Sequence, residues 1–157
     1  MSGWKRRIEP FARPGFQGWG RLRRGMTLGV RGLVTDADGR VLLVEHTYLH
    51  GWYFPGGGVE RGETTEAALA RELVEEAGVR MSARPRLVSV HDSGSAYPGD
   101  HVLLYRVGAW DPCPATSRGE IREARFFAPD ALPEAITPGT RRRVDEVLNG
   151  AEPDPMW

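Results

Sequence analysis

The sequence predicts one α/β domain, and three observations carry that prediction. Apolar, β-prone runs alternate with turn-rich segments along most of the chain. Two stretches, one central and one near the C-terminus, carry helical spacing between recognisable start and stop signals. At 157 residues the chain suits a single core and is too short for two.

Composition narrows the classes. With 40% hydrophobic and 27% charged residues the chain reads as an ordinary globular protein. Its formal net charge of zero supplies no global field to recruit nucleic acid or an acidic membrane. No apolar run approaches the ~20 residues of a membrane span, and the N-terminus lacks a signal-peptide core. Cys113 is the lone cysteine, which excludes an intramolecular disulfide and suits a reducing compartment. A cytoplasmic protein without a membrane partner is the expectation.

Residues 1–25 form a basic, aromatic arm: Lys5, Arg6, Arg7, Arg13, Arg21, Arg23 and Arg24 stand against Glu9, with Trp4, Phe11, Phe16 and Trp19 interleaved. Such a pattern suits nucleic acid or anionic lipid, or an arm laying its aromatics on the domain. Pro10 and Pro14 deny it a long amphipathic helix, which favours the arm. Met26 to Thr35 reads as a strand, Asp36-Ala37-Asp38-Gly39 as a turn, and Val41 to Val44 as the second strand of a hairpin. His46 and His50 follow, without a third nitrogen or sulfur ligand at local spacing that would make zinc credible. Trp52 and Tyr53 then pack the next loop or wall a pocket.

That loop is the centre of the chain. Phe54-Pro55-Gly56-Gly57-Gly58 resists regular structure and lets backbone groups approach a ligand closely. It leads into a helix with Thr64 or Thr65 as N-cap and Gly78 as its stop. At about 3.6 residues per turn, Glu72, Glu75 and Glu76 fall within an arc of roughly 100°, with Leu73, Val74, Ala70 and Ala77 turned away from it. The expected picture is one buried face with an exposed acidic rim. Like charges so close repel, by a few tenths of a kcal/mol per pair. Carboxylate oxygens are also the ligands Mg²⁺ and Mn²⁺ prefer, so a divalent ion turns the repulsion into coordination. A solvated acidic face with Arg71 paired to Glu75 is the plain alternative.

Arg86 to His91 reads as a strand, followed by a polar, turn-rich stretch from Asp92 to Asp100. His101 to Trp110 is a further strand, closed by Asp111-Pro112-Cys113-Pro114, with Cys113 an ordinary loop residue. Glu120 to Phe127 is an acidic stretch running into a strand, and Thr140 to Leu148 a C-terminal helix. Arg141, Arg142 and Arg143 in its first turn oppose the helix dipole, which calls for an acidic partner or phosphate. Asn149-Gly150 ends it, and the tail 149–157 is expected to be loosely ordered.

The central stretch resembles the signature of the Nudix hydrolases at every position: Gly57, five residues, Glu63, seven residues, Arg71-Glu72, an aliphatic, any residue, Glu75-Glu76, any residue, Gly78, an aliphatic. The segment from Glu120 to Pro133 is similar to a second recurrent segment of that family. The resemblance spans about residues 26–148 and implies the Nudix fold, a mixed β-sheet sandwiched between α-helices. It implies hydrolysis of a pyrophosphate in a nucleoside diphosphate derivative: a nucleotide, a nucleotide sugar or a dinucleoside polyphosphate. Mg²⁺ or Mn²⁺ would neutralise the phosphates and lower the pKa of the attacking water.

By the same resemblance, Glu72, Glu75, Glu76 and the Gly56 carbonyl hold the metal. Glu75, Glu76 or Glu120 takes the water proton, with Glu123 in reserve for Glu120. Arg71 and Glu63 brace the loop and helix together. Phe54, Glu60 and Tyr97 are the candidate substrate contacts, Tyr97 through stacking on a base. The partner is then a small nucleotide, and the chain a monomer or homodimer. Two other classes remain open: a catalytically silent Nudix domain acting as nucleotide sensor, and an RNA-end pyrophosphohydrolase or nucleic-acid binder using the basic arm.

Overall fold

The computed structural model of the chain describes residues 25–94, 98–117 and 119–157. The expectations for the N-terminal arm and for Tyr97 lie outside these residues. The order of elements is β1 (Thr27–Val34), β2 (Val41–His46), β3 (Trp52–Tyr53), α1 (Thr65–Ala77), β4 (Val79–Met81), β5 (Arg86–Asp92), β6 (Asp100–Val107), β7 (Trp110–Pro112), β8 (Ile121–Phe127) and α2 (Pro138–Leu148). Among the described residues no helix is long and apolar enough to cross a membrane.

β1 and β6 run parallel, from Thr27 opposite Asp100 to Val34 opposite Val107, and β5 joins β6 antiparallel, giving a mixed sheet in the order β1-β6-β5. β3, β2 and β8 form an antiparallel sheet, and β4 pairs with β7. Side chains alternate between two cores, as strand geometry requires. Val30 and Val34 of β1, Leu42 of β2 and Leu103 and Tyr105 of β6 meet Ala68, Leu69 and Leu73 of α1. Leu33, Val41, Leu43 and Leu104 point the other way, to Val144 of α2 and to Trp52, Phe54 and Ile136. The sheets therefore lie between the helices, as expected.

The hairpin expected from β1 and β2 does not form. Its turn does: Asp36 accepts the Gly39 N–H at 3.0 Å, and its carboxylate accepts those of Asp38 and Arg40. A single bridge, Thr35 to Val41, follows before the strands part into different sheets. The free edge of β1 is taken instead by the glycine loop: Val30 N–H donates to Gly57 O and Gly32 N–H to Pro55 O, both at 2.9 Å. Those bonds satisfy the groups that β2 would have paired.

The C-terminal tail is also not loose. Asp92 N–H donates to Pro155 O and Trp157 N–H to Asp92 O, both at 2.9 Å, so the tail lies along the end of β5. The partner that the arginines of α2 required is this tail, together with Glu146. Arg143 is fully buried, donating to Met156 O at 2.8 Å and pairing with Glu146 at 2.5 Å. Arg142 lies 3.9 Å from the Asp154 carboxylate.

Candidate active site

α1 begins where Thr64 accepts the Ala67 N–H, and ends at Gly78 in the left-handed conformation, φ 62°, whose N–H reaches the Leu73 and Val74 carbonyls. The glycine loop is pressed between this helix and β1. Gly56 has φ 143°, and a Cβ there would collide with the Val30 carbonyl. At Gly57 an added Cβ would collide with the Glu72 carboxylate, so the missing side chain is what lets that carboxylate lie against the loop.

Arg71 clamps the two elements together. Its Nε and Nη2 reach the Glu63 carboxylate at 3.0 and 3.1 Å, its Nη1 the Glu72 Oε1 at 2.7 Å, and Nη2 the Gly58 carbonyl at 3.3 Å. Glu75 stands 3.5 Å from the same guanidinium, half-exposed. The Arg71 hydrogen bonds, followed by the Glu60 N–H, hold the Glu63 carboxyl below the usual carboxylate range. The bond from the Glu60 N–H is the observed part Glu60 plays; its side chain is exposed.

Glu76 departs from the expected exposed rim. It is 8% exposed and lies on the buried stripe with Leu69 and Leu73, at helical spacing i, i+4, i+7. Its Oε2 accepts the Gly56 N–H at 2.8 Å and its Oε1 faces His46 Nε2 at 3.7 Å. Burial pushes its pKa up to about 7; the Gly56 N–H and Arg31 oppose the rise, while Glu72 and Glu120 add to it. Glu120 therefore lies within electrostatic reach of Glu76 and also of His46, although it is itself exposed.

Phe54 is the other correction. It has no exposed surface and sits in the α2-side core with Trp52 and Leu33, so it anchors the loop and offers nothing to a substrate. The Gly56 carbonyl, expected as a metal ligand, accepts a hydrogen bond from Arg31 Nη1.

Arg31, His46 and Tyr48 were not singled out as site residues by sequence reasoning. His46 is 4% exposed, its Nδ1 has no hydrogen-bond partner among the described residues, and its ring centroid lies 5.3 Å from Tyr48 and 5.7 Å from Tyr53. Burial first, then Arg31, holds His46 below the usual imidazole range and hence neutral at neutral pH. Tyr48 is 67% exposed, and burial of its ring base followed by the Glu120 and Glu76 charges raises its pKa. A charged residue within an apolar strand was the available signal for Arg31; for His46 there was none beyond its type.

Among the described residues, no three His, Cys, Asp or Glu side chains already converge as a metal cluster. The donor chemistry nevertheless fits a hard divalent cation. Glu76 is a buried carboxyl whose ionisation a nearby cation would favour, Glu72 is held against the loop, and both carry oxygen donors.

Comparison with known proteins agrees with this geometry. A family model described as the NUDIX domain matches residues 25–147. A MutT-like protein of Streptomyces ambofaciens is 30% identical over 127 residues, 81% of this chain and 80% of that protein. An RNA pyrophosphohydrolase of Aeromonas hydrophila is 46% identical, but over only 48 residues, 31% of this chain and 27% of that one. Among solved structures, the MutT NUDIX hydrolase from Burkholderia pseudomallei superposes with a TM-score of 0.67 at 27% identity, covering 77% of this chain and 97% of that one.

Proposed function

The chain belongs to the NUDIX hydrolase family, and from that premise we propose that it cleaves the pyrophosphate linkage of a small nucleoside diphosphate derivative with the help of Mg²⁺ or Mn²⁺. The observation that carries this reading is Glu76: a buried carboxyl fixed to the glycine loop through the Gly56 N–H, with the Glu72 carboxylate against the same loop and the charge of Glu120 within reach. Such a site concentrates negative charge where it is costly, and a bound cation offsets that cost.

Glu72, Glu75, Glu76 and the Gly56 carbonyl would hold the ion. When bound it supplies charge neutralisation for the pyrophosphate and acidifies the attacking water. Arg71 keeps Glu72 and Glu75 oriented. Glu120 would take the water proton, because among the described residues it forms no ion pair and its charge, just before β8, reaches Glu76. Tyr48, exposed beside this end, is placed to cover the nucleoside portion. Tyr97 remains a proposed stacking residue.

A hydrolysis screen tests the reading, with nucleoside triphosphates, oxidised nucleotides, nucleotide sugars, ADP-ribose, dinucleoside polyphosphates and a triphosphate-ended RNA, each with Mg²⁺ and with Glu76→Gln as control. One class turned over far better than the others, and lost in the variant, supports it and names the substrate. Nucleotide binding without turnover anywhere replaces it with the sensor reading.

A further inference from the structure

We propose that Arg31 is a built-in cation that competes with the divalent ion for the Gly56 carbonyl, and so sets how tightly the site holds its metal. The inference rests on the reading of Glu72, Glu75, Glu76 and Gly56 as metal ligands.

β1 reads Thr-Leu-Gly-Val-Arg-Gly-Leu-Val, and Arg31 is its single charged residue. Its neighbour Val30 is fully buried and Arg31 itself half-buried, a position that costs free energy unless the guanidinium is paired. The pairing it finds is with the site: Nη1 donates to the Gly56 carbonyl. Glu76 binds the same residue from the other side, through the Gly56 N–H at 2.8 Å.

A guanidinium and a divalent cation cannot both sit on one carbonyl without strong repulsion, since the two charges would lie a few ångströms apart in a partly desolvated site. Metal entry therefore turns Arg31 off Gly56. Held by its strand, the freed guanidinium stays close to Gly56, and its planar donors match phosphate oxygens. The arginine is then a positioning residue for the metal and a contact for the pyrophosphate.

Mn²⁺ titrated into the chelator-stripped full chain at about pH 8, where Glu76 is ionised, with free Mn²⁺ followed by electron paramagnetic resonance, tests this. Arg31→Met is expected to bind Mn²⁺ about tenfold more tightly, equivalent to about 1.4 kcal/mol, while KM for the substrate rises. Arg31→Lys, which keeps a charge in the strand, falls between and serves if the Met variant does not fold. Unchanged or weaker Mn²⁺ binding in the folded variants overturns the competition. If the wild-type chain takes up no Mn²⁺ and Glu76→Gln alters nothing, the ligand assignment itself has failed.

Discussion

The Glu76 carboxylate accepts the Gly56 N–H at 2.8 Å across a separation of 20 residues, so the helix carrying the acids and the loop beside them are a single unit. The bond also explains why a glutamate is tolerated on the buried stripe of α1, since the N–H returns part of the solvation that burial removes.

Glu76→Gln is expected to abolish turnover while strengthening the fold. The folded pKa of Glu76, about 7, exceeds its ordinary value of 4.5. Its contribution is therefore most favourable below the ordinary value and is lost as pH rises through the folded one. The amide keeps an acceptor for Gly56 without the buried charge. In chelator, thermal melts at about pH 8 should show the variant more stable by up to about 3 kcal/mol, with little difference at about pH 4. A variant less stable at the higher pH contradicts the assignment.

The same shift gives activity a pH dependence. Metal affinity and turnover at limiting Mg²⁺ should climb as Glu76 deprotonates, over roughly pH 5 to 8. Saturating metal should move the rise to lower pH, because the cation favours the carboxylate. A profile indifferent to metal concentration would remove Glu76 from the ligand set.

Arg71→Lys keeps the charge but cannot span Glu63, Glu72 and Gly58 together. The expected loss is about 1–2 kcal/mol of stability with a larger fall in kcat. Coupling to Glu63→Gln, read from a double-mutant cycle, should be clear; strict additivity would mean the clamp is not acting.

Gly57→Ala should depress kcat by about a hundredfold through displacement of the Glu72 carboxylate, with a smaller effect on the melting temperature. Equal activity would show that Glu72 has room to move.

Removing residues 154–157 should cost about 1–3 kcal/mol, because the wholly buried Arg143 would keep Glu146 but lose Met156 O, and Asp92 would lose its bonds to Pro155 and Trp157. Denaturant unfolding of the truncated chain measures this, and an unchanged midpoint would mean that the tail carries no structural role.

What was legible in the sequence was local. Thr64 as cap, Gly78 as stop, the Asp36 turn, most strand cores and the Arg71–Glu63 pairing follow from side-chain chemistry over short separations, which the tertiary fold left unaltered. The glycine signature also pointed to the family, and at Gly57 the missing side chain leaves room for the Glu72 carboxylate.

Partnership over long separations belonged to the tertiary structure. Whether β1 continued into a hairpin depended on which backbone groups pair with its free edge, and the loop at Pro55 to Gly57 occupies it. Glu76 and Phe54 could each be placed on a helix or before a loop from sequence. That one would be buried beside His46 and the other sealed in the α2-side core came from packing, which buries a position according to what lies opposite it and not according to its residue type. The tail likewise is ordered by long-range partners, the backbone of Asp92 and the buried Arg143.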